Sequence, residues 1–187
     1  KPFETFARES VLFVTGRTTW KGMGASEVLF GWLVSLDREW EGEEFIRVDY
    51  QPLKSALRLD VKKNYFSLSQ IKAAEPLREL VREASRKESR KERLSTIEKK
   101  AVEVENRASL LESILSGNSI SIFPNPQGLN QEWFALPALT QPGTLPYPAD
   151  KTEKLANALK AAIDAFLNKN ANGWNAEIYN VNRILSQ

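Results

Sequence analysis

The side chains that most often carry catalysis are missing from this chain. Its 187 residues include no cysteine and no histidine. No thiolate is available for nucleophilic attack, disulfide formation or zinc binding. No imidazole is available as a general base or as a haem-iron ligand. A serine nucleophile would have to rely on a lysine, and no glycine-flanked serine elbow occurs. Paired carboxylates remain as a route to hydrolysis. Glu41, Glu43 and Glu44 are clustered, but a short charged turn explains them as a solvated loop. Gly16, Gly22 and Gly24 follow no strand in a phosphate-binding pattern and read as turn glycines. No Asp-rich loop has the spacing of a calcium site. The chemistry left to this chain is contact chemistry.

Aromatic residues are the first candidates for contact. The five tryptophans are Trp20, Trp32, Trp40, Trp133 and Trp174. Trp32 and Trp174 fall on apolar helix faces and are expected in the core. Trp20 and Trp133 lie in loops, where an aromatic ring can grip a peptide or a flat ligand. Packing is the stronger expectation even there.

These residues need a frame, and apolar spacing supplies one. Phe3, Phe6, Ala7, Ser10, Val11 and Val14 predict a first helix over Pro2 to Val14, stopped by Gly16. A second helix runs from Ser26, as cap, to Leu36. Phe45 to Tyr50 reads as a strand. Pro52 opens a short helix to about Leu59, and Ser67 opens another turn. Residues 75–116 read as a long helical segment interrupted near 85–93, where mixed-sign charges suggest a solvated face. Leu94, Ile97, Ala101, Val104, Ala108, Leu111 and Leu115 form a heptad seam. The expected cover for that seam is the pair of C-terminal helices. Ile120 and Ile122 suggest a second strand, available to pair with Phe45 to Tyr50. A proline-rich irregular stretch follows. Asp150 and Glu153 resemble a capping box for a helix to Leu167. A last helix carries Trp174, Ile178, Val181 and Leu185. The expected class is α+β, mainly α with a small β component. It is read as one domain over 1–187, with a short two-stranded sheet and a long Pro-rich irregular segment.

Composition sets the outer bounds. Lys and Arg total 26 against 24 for Asp and Glu, so the near-balance gives no electrostatic case for nucleic acid. The densest apolar run, Val28 to Leu36, is far shorter than the roughly 20 residues that span a bilayer. It also contains Gly31 and Ser35. A start at Lys1 suggests a piece of a longer protein, one whose membrane segments lie elsewhere.

Several short motifs, in order, carry a family resemblance. Lys1-Pro2-Phe3-Glu4-Thr5-Phe6-Ala7-Arg8-Glu9 resembles a Lys-Pro-x-x-Thr-x-x-Arg-Glu segment of fused cytochrome c synthases of the CcsBA kind. That segment lies in an extracytoplasmic region before a membrane core of the CcsA and CcmF haem-handling superfamily. The similarity continues through Trp20-Lys21-Gly22-Met23-Gly24-Ala25, Phe30-Gly31-Trp32, Trp40 and Phe45-Ile46-Arg47-Val48. It also takes in Ile122-Phe123-Pro124-Asn125-Pro126 with Trp133 downstream, and Gly173-Trp174-Asn175-Ala176-Glu177.

The resemblance implies a parent that exports haem and attaches it to the Cys-x-x-Cys-His motif of apocytochromes outside the cytoplasm. The family's haem ligands are histidines, and its haem-presenting segment is Trp-rich with an adjacent Asp. No residue here matches those positions, so haem is expected to be handled elsewhere in the parent. The expected role is an accessory extracytoplasmic (periplasmic) domain of a bacterial membrane protein. It would dock apocytochrome c or brace the membrane-embedded remainder, bind no cofactor and not be an enzyme by itself. The alternative is a general interaction or envelope scaffold domain using the heptad face. Candidate partner contacts are Lys1, Thr5, Arg8, Trp20 and Trp133. Arg8 and Glu9 are expected to pair with another element before they serve function.

Overall fold

A computed structural model describes residues 3–34, 42–128, 131–139, 141 and 143–186. Lys1, Pro2, Ser35, Leu36, Trp40, Glu41 and Pro142, which figure in the sequence reading, lie outside the described residues. The class is the expected one, mostly helical with small two-stranded sheets. The chain forms two compact units, Lys1–Leu115 and Ser116–Gln187.

The first unit opens with α1 (Phe3–Thr15), which buries Ala7, Ser10, Val11, Val14 and Thr15. Gly16 ends it at φ +69°, the left-handed conformation that favours glycine. A Cβ at this position would also sit 2.5 Å from the Arg47 guanidinium. Strands β1 (Thr19–Trp20) and β2 (Met23–Gly24) form a hairpin around Lys21-Gly22. Both loop residues have positive φ, the geometry that matches the twist of a two-residue hairpin.

Helix α2 (Ala25–Leu33) follows directly, its cap two residues earlier than expected. Its N-cap is Gly24 rather than Ser26. The Gly24 N–H is satisfied by Glu27, whose Oε2 accepts it at 2.7 Å.

Strand β3 (Ile46–Arg47) pairs antiparallel with β4 (Tyr65–Phe66), with Ile46 opposite Phe66. The expected pairing of this region with Ile120–Ile122 is therefore wrong. Between them lies α3 (Gln51–Ala56), with a proline in its first turn. Ser67 then caps α4 (Leu68–Ala73) in a reciprocal box with Gln70.

The charged stretch resolves into α5 (Glu75–Ser89) and α6 (Thr96–Leu115), with the break at residues 90–95. Helix α5 buries only Leu77 and Ala84. Helix α6 buries Glu98, Ala101, Val104, Ala108, Leu111 and Ile114. Four of these are heptad-seam residues, but Ile114 rather than Leu115 closes the stripe. The cover comes from α1, α2, α3, α4, α5 and β3, all in the first unit. The two C-terminal helices, the expected cover, pack on each other within the second unit, and the seam is covered within its own unit.

In the second unit, β5 (Ser121–Phe123) pairs with β6 (Phe134–Ala135). A short 3-10 turn, Leu136–Leu139, leads on from β6. Tyr147 anchors the proline-rich segment by donating its hydroxyl to the Pro124 carbonyl. Helices α7 (Ala149–Leu167) and α8 (Ala171–Leu185) pack on each other. Leu155, Ala158, Val181 and Ile184 form their shared core. The N-cap of α7 is Pro148, with no side-chain cap bond. Asp150 lies inside the first turn and pairs with Lys154 at 3.2 Å, so the expected capping box does not form.

One ion pair fastens α5 to α6. Glu98 accepts from Lys87 Nζ at 2.5 Å, from Ser95 N at 2.7 Å and from Ser95 Oγ at 2.8 Å. Ser95 Oγ in turn accepts from Glu98 N at 3.4 Å, completing a Ser-x-x-Glu box. Hydrogen bonds from Lys87 and Ser95 hold the Glu98 carboxyl down at about 2, against an ordinary value of 4.5. A depressed folded-state value stabilises the fold above the ordinary value, and the gain is lost as pH falls toward the depressed one. Stability should therefore decline between pH 4.5 and about 2. Glu98→Gln should be less stable at pH 7 and should flatten that stretch of the profile. Denaturant titrations of both proteins at several pH values check this; parallel profiles would contradict it.

Candidate partner-contact surface

The first unit is built on an aromatic cluster. Trp32, on α2, meets Phe45 edge-on at 5.1 Å between ring centroids. Phe45 meets Trp20 at 5.3 Å, and Trp20 meets Tyr65 at 5.0 Å. Such tilted and edge contacts suit the ring quadrupoles. The Arg17 guanidinium lies over Tyr65, 5.3 Å from its centroid. Trp20 is 8% exposed, so its ring body serves this cluster. Its indole N–H is buried with no acceptor among the described residues. One side of Trp20 also lines a recess of about 430 Å³ with Lys21, Glu43, Glu44 and Tyr65. Glu43 pairs there with Lys21 and Glu44 with Lys63, each at 2.7 Å. Two of the three clustered glutamates are thus rim ion pairs.

Beside this cluster, α1 turns a second face outward. Arg8 is exposed and Thr5 half-buried. They fall three residues apart and share the outward face with Leu12, which is 47% exposed. Phe13 is also exposed, with the Arg107 guanidinium 5.9 Å from its centroid. Arg8 enters no ion pair among the described residues, so its expected structural pairing is not found there. Lys1 lies outside the described residues.

A polar network underlies this corner. Arg107 donates to the Arg47 carbonyl and to Glu103 Oε1, each at 2.5 Å. Lys100 donates to the other Glu103 oxygen at 2.6 Å. Burial pushes the Glu103 carboxyl up, but Lys100 and Arg107 outweigh it and the net shift is downward. Arg47 pairs with Asp49 at 2.6 Å. Asp49, Lys100, Glu103 and Arg107 line a recess of about 250 Å³ holding both signs of charge. Neighbouring acids and bases there pair with each other.

In the second unit, Phe123 sits opposite Phe134 in the β5–β6 ladder. The ladder is irregular between Ser121 and Phe123, and Phe123 is the buried residue of β5. Ile122 is exposed, and Trp133 is 44% exposed. Trp174 is half-buried against Phe166, 5.9 Å between centroids, rather than fully in the core. Of the candidate contacts, Thr5 and Arg8 share one helix face. Trp20 packs inward and Trp133 outward. Sequence reasoning passed over Arg107 and Glu103, whose i, i+4 spacing is shared by many surface pairs.

Fold and surfaces define a mostly helical α+β protein whose described residues include no group of three or more Asp, Glu, His or Cys placed for a metal ion. No helix among them is long and apolar enough to cross a membrane. No protein-family model matches the chain. It is 26% identical over 140 residues to Protein NrfI of Wolinella succinogenes. The match covers 73% of this chain and 15% of that protein, so the chain corresponds to a small part of it.

The placements predict a split in stability. Trp20→Ala should cost about 3–5 kcal/mol, as for other large buried aromatics. Arg8→Ala and Trp133→Ala should each stay within about 1 kcal/mol of the parent. Urea melts of the three variants check this. A strongly destabilised Arg8→Ala would return that residue to a structural role.

Proposed function

We propose that this chain is an accessory extracytoplasmic domain of a membrane protein that assembles c-type cytochromes, and that it docks apocytochrome or braces the membrane-embedded remainder. The observation that carries this reading is the ordered run of motifs from Lys1-Pro2 to Gly173-Trp174. The likeness to NrfI across most of the chain supports a place in cytochrome c biogenesis. The finer assignments, to the CcsBA kind and to the periplasm, rest on the motif resemblance alone.

The chain's own residues support a contact role over a chemical one. With no histidine or cysteine, haem would find only weak axial ligands such as Met23, tyrosine or lysine. Haem is therefore handled elsewhere in the parent, and the domain is not itself an enzyme. Thr5, Arg8 and Leu12 in one unit, and Ile122 and Trp133 in the other, offer exposed or half-buried side chains for contact. A scaffold using the heptad face has less support, because that face is buried within the first unit.

Deletion of residues 1–187 from the parent should abolish covalent haem attachment in cells that depend on it for cytochrome c maturation. Haem staining of membrane and periplasmic fractions after denaturing electrophoresis is the readout. In parallel, haemin titrated into the isolated chain should give no saturable Soret shift at micromolar protein. Unchanged haem staining would contradict the biogenesis role. A saturable shift that survives competition by albumin would contradict the assignment of haem to another part.

A further inference from the structure

Lys54 is an unusual lysine for a surface helix of six residues. It is 2% exposed. Its ammonium donates to the Val61 carbonyl at 2.8 Å, to the Lys63 carbonyl at 2.9 Å and to Asn64 Oδ1 at 3.1 Å. None of these partners is a carboxylate. Three neutral oxygens from one turn meet the three N–H bonds of one ammonium, which exhausts its donors. A charge removed from water without a counter-ion is costly unless dipoles replace its hydration shell.

Apart from Lys54, the turn is held by polar contacts alone, among them Lys63 to Glu44 at 2.7 Å and Lys62 N to Asp60 Oδ1 at 2.9 Å. Residues 60–64 are all exposed, including Val61, so the segment contributes scant apolar burial. Arg58, at φ +57°, turns the chain out of α3. Leu59 N then bonds the Lys54 carbonyl at 2.9 Å, and Lys63 N bonds the Asp60 carbonyl at 3.2 Å. Beyond the turn, Val48 N donates to the Asn64 carbonyl at 2.9 Å, extending the β3–β4 ladder. Asn64 thus contributes its side chain to the ammonium and its backbone to the sheet.

We propose that the turn at residues 59–64 is a binding site for a primary ammonium group, filled in the folded chain by Lys54, and that its occupancy holds the turn and the β3–β4 ladder in place. The ligand class follows from the geometry. A primary ammonium offers three N–H bonds from one nitrogen, whereas a quaternary ammonium offers none. A guanidinium spreads its donors in a plane and does not meet three oxygens converging on a point. The inference stands apart from the proposed function, since it concerns the turn alone.

Truncation of Lys54 at Cβ removes the atoms of n-propylammonium, which is the probe. Lys54→Ala in the full chain should lower Tm by roughly 6 °C or more. Added n-propylammonium chloride should restore a substantial part of that loss. Tetramethylammonium chloride and sodium chloride at equal ionic strength should not. A variant as stable as the parent, or equal effects of the three salts, would overturn the proposal. Should Lys54→Ala fail to fold, the unaltered chain decides. Its Lys54 ammonium protons should exchange slowly in NMR spectra and show through-hydrogen-bond couplings to the Val61 and Lys63 carbonyl carbons. Fast exchange with no such coupling would overturn the proposal equally.

Discussion

The first unit depends on one buried helix face. Helix α6 presents Ala101, Val104, Ala108, Leu111 and Ile114 along one side, and six other elements of the unit pack around it. The two alanines let neighbouring backbones approach closely, and the larger residues between them fill the gaps. Because α1, α2 and β3 all rest on this face, the outward face of α1 and the aromatic cluster are set by it. Arg107, on α6 itself, ties β3 to the same helix through the Arg47 carbonyl. Removing the face would remove the platform under every candidate contact in this unit.

Polar groups then fix details that apolar burial leaves open. Glu98 and Lys87 tie α5 to the start of α6. Lys54 holds a turn that has no apolar anchor of its own. Both are charges withdrawn from water and given several partners, an arrangement that trades desolvation for conformational definition. Gly16 belongs to the same group of constraints. It lets α1 end where the Arg47 side chain must pass, next to its pairing with Asp49.

Much of the helical frame was legible because its signals are local and periodic. Alternating three- and four-residue spacing located α6, and Gly16 marked the end of α1. Ser67, read as opening a helical turn, caps α4. Strand pairing was not legible, since each ladder here is two or three residues long and the pairings are chosen by tertiary packing. The Asp150 box failed because the chain enters α7 at Pro148, placing Asp150 one residue inside the helix. The Ser95-x-x-Glu98 box was readable just beyond the expected interruption at 85–93, but the mixed charges around it read as a solvated face. Lys54 carried no signal, because its burial arises from a turn that closes over it later in the chain. Among the contacts, Trp20 and Trp133 looked alike in sequence. A hairpin folds one into the aromatic cluster, and a short ladder leaves the other outside.

The α6 face is internal to the first unit. Val104, 2% exposed at the middle of that face, is where it can be tested most directly. Val104→Asp places an unpaired charge among apolar side chains and should cost more than about 3 kcal/mol. Circular dichroism with sedimentation on the isolated chain should show loss of helical signal and a much lower melting temperature. A well-folded Val104→Asp monomer, obtained from a parent that sediments as a dimer, would contradict the claim and make the seam a coiled-coil contact between chains.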